Sequence, residues 1–130
     1  MNAAREVMER HVDAINVRDV EAYRRTMNFP FTYQNYNGVA LTVANAADCG
    51  ISAPLPWEII VSTDPDWHHT TFDNVEEVVR SVSSVVWKVE FSRVDVSGHA
   101  YGAYRAIWIA TCQNGHWGVQ FRHNLGLCEP

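Results

Sequence analysis

An imidazole lies at the centre of an apolar helical stripe close to the start of the sequence. At about 100° of rotation per residue, Val7, Met8 and Ile15 share a helix face with His11. A partly buried imidazole is easily shifted across physiological pH, so His11 is a candidate general acid or base, or a hydrogen-bond donor to a ligand. A core histidine satisfied by a carbonyl group or a water explains the same pattern, and both interpretations stay open.

A second candidate is a cation within a strand pattern. Alternation places Arg105 on one strand face together with the apolar residues Ala103, Ile107 and Ile109. A guanidinium on an apolar face could clamp a carboxylate or an enolate. The alternative is a cross-strand ion pair with an acid such as Glu90 on the neighbouring strand.

The sequence offers little support for metal, nucleophilic or phosphate chemistry. His68 and His69 are adjacent on a predicted strand, so we expect them to point to opposite faces, and no H-x-H or H-x-x-x-H pair occurs. The three cysteines are widely spaced without a C-x-x-C pair, and neither a G-x-S-x-G elbow nor a glycine-rich phosphate loop is present. We therefore expect no metal site and no cofactor.

The charge of the chain argues against a nucleic-acid partner. With 130 residues, a formal net charge of −5 and no cluster of Lys or Arg, the sequence has no pattern suited to tracking phosphates. It contains no basic-then-apolar leader and no run of about 18 apolar residues, which predicts no membrane association. The odd number of separated cysteines suits a reducing compartment, so we expect a cytoplasmic protein.

The sequence predicts two helices before the first strand. The first helix ends near Arg18, and Asp19 is a good N-cap for the second. Pro30 cannot continue a helix, because its ring fixes φ and removes a backbone N–H donor. Residues 44–63 are interrupted by glycine and proline, which favours one or two further short helices there.

The rest of the chain favours strands, because it is rich in β-branched and aromatic residues. The predicted strand segments are 29–43 as two short strands, 67–80, 85–96, 100–112 and 117–125. Asn37-Gly38 and Asn114-Gly115 suit tight turns between strands. Helices followed by an antiparallel sheet predict a single α+β domain over residues 1–130, in which a curved sheet wraps around the N-terminal helices and leaves a pocket.

Three stretches of the sequence carry a resemblance to a known superfamily. The opening helix HVDAINVRDVEAY, the strand start FPFTY and the ending QNGHWGVQFRHN are similar to nuclear transport factor two-like, or SnoaL-like, proteins. That superfamily includes ketosteroid isomerases, scytalone dehydratase, limonene epoxide hydrolase and polyketide cyclases. The resemblance implies a cone-shaped, cystatin-like fold with an interior cavity, an architecture that carries many chemistries.

The catalytic positions of the ketosteroid isomerases are not retained. The resemblance places His11 at the family's oxyanion-donating tyrosine, Asn35 at its general base and Ile107 at its protonated aspartate. Asn35 cannot accept the proton that a base must take, although its amide could orient a ligand carbonyl or serve only in a turn. Limonene epoxide hydrolase has an arginine that falls on Arg105, but its paired aspartate falls on Ile107.

These observations predict a small-molecule-binding domain with an apolar cavity, whose ligand is small and apolar or carboxylated. The candidate ligand-binding residues are Asn35, Tyr33, Trp57, Arg105, Ile107 and Phe121. The alternative is an isomerase, dehydratase or cyclase in which His11 moves a proton with help from Arg105 and Tyr33. The sequence leaves open whether the protein is an enzyme.

Aromatic residues on both faces of the sheet predict a homodimer. Alternation places Tyr104 and Trp108 on one face of their strand, and Tyr101 with Arg105 on the other. Helices can cover only one face, so the opposite face needs a cover of its own. A symmetric dimer that packs outer sheet face against outer sheet face would supply it, and the resemblance implies such pairing.

Overall fold

The structure is a computed structural model that describes residues 2–128. Within that range the helices are α1 (Ala3–Val17), α2 (Val20–Arg25) and α3 (Pro56–Thr63), with a 3₁₀ turn at Ala46–Asp48. The strands are β1 (Met27–Asn35), β2 (Ala40–Val43), β3 (His69–Arg80), β4 (Ser84–Val94), β5 (Ala100–Gln113) and β6 (His116–Leu127). These elements agree closely with the predicted segments. None of the described helices is both long enough and apolar enough to cross a bilayer.

Local capping groups set where the first two helices begin and end. The Asn2 side chain accepts a hydrogen bond from the Arg5 backbone N–H (3.1 Å). Arg18 takes the left-handed conformation, with φ 57°, and ends α1. The Asp19 carboxylate then accepts a hydrogen bond from the Ala22 N–H (3.1 Å), which confirms Asp19 as the N-cap of α2.

The described strands form one six-stranded sheet in the order β2-β1-β6-β5-β4-β3. Neighbouring strands are antiparallel, except that β1 and β6 run parallel. Asn114 and Gly115, between β5 and β6, have φ values of 52° and 80°. Two positive φ values in a two-residue loop are typical of a type I′ turn, as the Asn-Gly sequence predicts.

The helices lie against one face of the curved sheet, here called the inner face. Its side chains are buried beneath α1 and include Trp87, Val89, Ala106, Trp108 and Val119. The opposite, outer face carries partly or fully exposed side chains, among them Lys88, Glu90, Arg105, Ile107 and Phe121. The predicted α+β class, with a curved sheet wrapped around an N-terminal helix, is confirmed.

A one-residue bulge in β6 changes which side chains face inward. Gln120 is the extra residue, because Phe121 and Val119 pair with consecutive residues of β5. Phe121 therefore lies on the outer face, and Arg122, which pairs with Trp108, lies on the inner face. Strict alternation along β6 would place Phe121 inward with Val119. The bulge thus corrects the expectation that Phe121 contacts an interior ligand.

The close approach of β1 and β6 requires a residue without a side chain at position 118. A Cβ added to Gly118 would lie 2.6 Å from the carbonyl carbon of Met27 and 2.8 Å from the nitrogen of Asn28. Backbone atoms in a sheet cannot move aside, so we predict that Gly118→Ala lowers the free energy of unfolding by about 2–3 kcal/mol or prevents folding. Urea unfolding followed by circular dichroism measures this loss.

Gly115→Ala is the matched control. A Cβ at Gly115 would meet no atom within 4 Å, so the variant is strained only by the positive φ of 80°. We expect this substitution to cost about 1 kcal/mol. Equal losses in the two variants would contradict the steric explanation for Gly118.

Candidate functional site

A cavity lies between the inner face of the sheet and helices α1 and α3. Its volume is about 50 Å³. Most of its wall is apolar and consists of Val12, Ile15, Ile60, Phe72, Phe91, Ala106 and Trp108. The polar groups of the wall are Tyr33, Thr70, Arg93, Arg122 and Asn124. An apolar wall with a few converging polar groups is typical of a small-molecule site.

The register of the sheet places the central side chains of this wall next to one another. Tyr33 of β1 pairs with Arg122 of β6, and Arg122 pairs with Trp108 of β5. Trp108 in turn pairs with Trp87 of β4. Because direct cross-strand partners share a face, these side chains form one continuous inner row.

Arg122 carries a buried charge that has no acid beside it. The residue is 7% exposed, and it forms no ion pair within residues 2–128. Its Nη2 donates to the Tyr23 hydroxyl (3.0 Å), while its buried Nε–H has no partner in the described chain. The rings of Tyr23, Phe31, Tyr33 and Trp108 have their centroids 5.0–5.9 Å from its Cζ.

Arg93, the other guanidinium of the wall, has an acid partner. Its Nη1 donates to Asp64 Oδ2 (3.1 Å), and its Cζ lies 4.5 Å from the Tyr104 ring centroid. Asp64, which follows α3, also accepts a hydrogen bond from the Tyr101 hydroxyl (2.7 Å). Burial and this hydrogen bond raise the pKa of Tyr101. The cluster ties the end of α3 to the sheet beside the cavity and neutralises Arg93.

The phenol of Tyr33 lines the cavity and adds a neutral hydroxyl to its wall. Burial raises the pKa of Tyr33, and the positive charges of Arg122 and Arg93 offset part of that rise. The hydroxyl therefore stays protonated at neutral pH and remains a hydrogen-bond donor.

His11 is completely buried and hydrogen-bonded through one ring nitrogen. The Thr26 hydroxyl donates to the Tyr23 carbonyl oxygen (2.8 Å), so its own oxygen accepts from the Nδ1–H of His11 (2.8 Å). This arrangement assigns the imidazole proton to Nδ1 and leaves Nε2 without a partner in the described residues. Burial, followed by the charge of Arg122, holds the pKa of His11 well below its usual value of 6.5.

The structure corrects the expectation that the His11 side chain faces the interior cavity. Its ring packs against Tyr23 and Trp108, with centroid distances of 4.9 and 5.4 Å, and it is not part of the cavity wall. The apolar stripe of α1 is wide enough to bury the imidazole against Tyr23 and behind Trp108, whose ring lines the cavity. His11 is therefore a neutral core histidine, which is the alternative that the sequence left open.

Asn35 and Trp57 lie near the cavity without lining it. The Asn35 side-chain oxygen accepts from the Tyr36 backbone N–H (3.0 Å), and the Asn35 backbone closes the turn after β1. Its role is turn chemistry, and the amide at the cavity belongs to Asn124, its pairing partner in β6. Trp57 of α3 packs edge-on against Tyr23 at 5.8 Å and supports the ring that contacts Arg122.

Arg105, Ile107 and Phe121 are on the outer face and do not contact the cavity. Alternation correctly places Arg105 and Ile107 on one face and Trp108 on the other. The helices cover the face that carries Trp108. Arg105 is exposed, and its Nε lies 3.9 Å from Glu90 Oε1. The cross-strand ion pair, the alternative noted for this residue, is what the structure contains.

Sequence reasoning missed Arg93, Arg122 and Asn124. Arg93 had a usable signal, because alternation along β4 places it on the same face as Phe91 and Val89, both buried. Arg122 and Asn124 had no such signal, since the bulge reverses alternation beyond Gln120.

The adjacent histidines at the start of β3 do not point to opposite faces of a strand, as alternation predicts. His68 precedes the strand, and its Nδ1 lies 2.9 Å from the Nδ1 of His69, so the two rings meet. Over residues 2–128, no group of three or more His, Cys, Asp or Glu side chains is arranged to hold a metal ion.

Many solved structures share the fold of this chain. No family model matches the chain, and no curated protein matches its sequence. A cystatin-like protein from Caulobacter vibrioides is 15% identical with a TM-score of 0.70, and the alignment covers 98% of this chain and 89% of that chain. An NTF2-like protein from Cytophaga hutchinsonii is 13% identical with a TM-score of 0.68, covering 98% and 100%.

A third structure broadens the comparison. It is provisionally described as a calcium/calmodulin-dependent protein kinase type II association domain, from Thiobacillus denitrificans. It is 10% identical, with a TM-score of 0.72 and coverage of 95% of this chain and 94% of that chain. Identities this low show the fold alone, and the predicted cystatin-like, nuclear transport factor two-like fold is confirmed.

The buried neutral imidazole makes the stability of the protein depend on pH. Below about pH 6.5, His11 takes up a proton in the unfolded chain but not in the folded one, because its folded-state pKa is lowered. The unfolded state then binds more protons, so the free energy of unfolding falls as the pH drops. We predict a loss of up to about 1.4 kcal/mol per pH unit between about pH 6 and pH 5, measured by urea unfolding.

His11→Leu removes this titration, and its unfolding free energy should change much less over the same interval. His99→Gln, in the exposed connection between β4 and β5, is the control and should keep the wild-type slope. A His11→Leu protein that keeps the full slope would show that another group is responsible.

Proposed function

We propose that this chain, which has the cystatin-like, nuclear transport factor two-like fold, binds a small apolar or carboxylated molecule in the cavity beneath α1 and α3. The observation that carries the proposal is the cavity wall, which is mostly aliphatic and aromatic with a few polar groups directed to one space. The inner row of Tyr33, Arg122 and Trp108 supplies both kinds of contact. The pairing of β1, β6 and β5 holds the side chains of this row next to one another.

The composition of the wall favours binding over proton transfer. Among the described residues the wall contains no carboxylate, imidazole or thiol. A general base works best with a pKa near the operating pH, and the one phenol in the wall, Tyr33, has a raised pKa. His11 lies behind the wall with its proton donated to Thr26. The proposal therefore involves no reaction, metal or cofactor.

A homodimer through the outer face is part of the proposal. A row of cross-strand partners with apolar side chains runs across that face: Val79, Val86, Ile109 and Phe121. Neighbouring positions carry both signs of charge, as Lys88 with Glu76 (2.8 Å) and Arg105 with Glu90 (3.9 Å). A face that combines an apolar row with both signs of charge is complementary to its own copy across a twofold axis. A second copy of this chain is therefore the proposed occupant.

A cytoplasmic location completes the proposal. Cys49, Cys112 and Cys128 are free thiols in the described part of the chain. A reducing compartment keeps separated thiols in that state.

A larger side chain that occupies the cavity should weaken the binding of a small molecule there. Ala106 belongs to the wall and is 2% exposed, so a leucine at this position would occupy the cavity. We predict that Ala106→Leu weakens the binding of small apolar compounds, found by ligand-observed NMR screening of the wild-type protein, by at least about tenfold. Ala103→Leu, at an exposed position of the same strand, is the matched control and should bind as the wild type does.

Two results would contradict this proposal. One is a wild-type protein that binds no compound, or that binds equally well after Ala106→Leu. The other is turnover of an enolisable ketone, a hydrated polyketide or an epoxide that is lost in His11→Leu, which would favour an isomerase, dehydratase or cyclase.

A charge in the middle of the outer apolar row should separate the dimer. Ile109→Lys would place an ammonium group between two sheets, where it has no acid partner, so we predict a monomer by sedimentation equilibrium while the wild type is a dimer. Ile51→Lys changes a side chain that is 83% exposed and outside the sheet, and it should leave the dimer intact. A wild-type protein that stays monomeric across the concentration series would refute the dimer.

A further inference from the structure

We infer that Arg122 anchors a small aliphatic monocarboxylate, whose carboxylate meets the guanidinium in the cavity while its hydrocarbon body lies against the apolar wall. The inference rests on the proposed function, because it concerns the same cavity. It adds the chemical class of the ligand and the residue that recognises it.

The first step is the missing counter-charge of Arg122. A guanidinium is not deprotonated in proteins, so this side chain carries a full charge although it is only 7% exposed. Its hydrogen-bond partner in the described chain is Tyr23, a neutral phenol whose pKa burial raises. A buried charge without an opposite charge is costly, and an anion in the adjacent cavity removes that cost.

The second step is the set of donors that Arg122 leaves free. One Nη2–H is used by Tyr23, and the guanidinium makes no other hydrogen bond to the described residues, so its remaining Nη N–H groups are free to meet a ligand. The planar fork of a guanidinium matches the two oxygens of a carboxylate. The four rings around the cation hold it in place through cation–π attraction but cannot neutralise it.

The third step is the charge count of the wall. Arg93 is already paired with Asp64 (3.1 Å), so Arg122 is the one uncompensated charge of the wall as far as the described residues show. A ligand with one negative charge neutralises the cavity. A phosphate ester or a dicarboxylate would bring a second negative charge that meets no free cation there. The hydroxyl of Tyr33 supplies a further neutral donor in the same wall.

The fourth step is the shape of the remaining space. The wall opposite the polar groups includes Val12, Ile15 and Ile60 from the two helices, so it suits hydrocarbon. The cavity volume of about 50 Å³ is well below the roughly 150 Å³ of a cavity known to hold benzene. A short linear or branched acyl chain therefore requires less displacement of side chains than an aromatic acid.

The test compares 3-methylbutanoate with its neutral isostere 3-methylbutanamide, each titrated into the isotopically labelled wild-type protein and followed by NMR. We expect the carboxylate to bind at least about tenfold more tightly than the amide, with shift changes centred on the inner row. Arg122→Gln should reduce the affinity for the carboxylate to that for the amide. Arg105→Gln removes an exposed arginine from the outer face and should leave both affinities unchanged.

Equal affinity of the wild type for carboxylate and amide would overturn the inference while the proposed cavity function stands. Tighter binding of succinate than of 3-methylbutanoate would overturn the single-charge argument. Failure of every small compound to bind would instead overturn the proposed function itself. If Arg122→Gln does not fold, the comparison of the two ligands on the wild-type protein still decides the outcome.

Discussion

The interior of this protein depends on the burial of one positive charge among aromatic rings. Arg122 lies on the inner face with Tyr33 and Trp108 as its cross-strand partners and the Tyr23 hydroxyl 3.0 Å from its Nη2. Burial and this charge together hold His11 neutral, and the same charge limits the rise in the pKa of Tyr33. His11 and Tyr33 are thus uncharged at neutral pH and Arg93 is paired with Asp64, so the Arg122 guanidinium dominates the electrostatic field of the cavity.

The two faces of the sheet place the same residue type in opposite physical situations. Arg105 is exposed on the outer face beside Glu90, and water and the acid both screen its charge. Arg122 is buried on the inner face without an acid in the described chain. An exposed guanidinium near a carboxylate contributes little beyond solubility, whereas a buried one without an acid keeps an uncompensated charge. The helices decide which face is which, because they can cover only one.

Sheet geometry brings the parts of the cavity together from distant parts of the chain. The parallel pairing of β1 with β6 sets Tyr33 beside Arg122, and Gly118 lets the two strands approach closely at their other end. The ion pair of Asp64 with Arg93 attaches the end of α3 to β4 and closes one side of the space. The cavity is therefore a property of strand register and helix placement, with no single segment sufficient to form it.

The sequence by itself determined the local elements, namely the Asp19 cap, the Asn114-Gly115 hairpin, the succession of strands and hence the fold class, because these depend on interactions between near neighbours. It also indicated an apolar cavity through the superfamily resemblance. Only the tertiary structure decided which arginine reaches that cavity. The bulge at Gln120 reverses the alternation of β6, and a one-residue change of register moves every following side chain to the other face. The face on which a side chain lies depends on how distant strands pair, and no local pattern specifies that pairing.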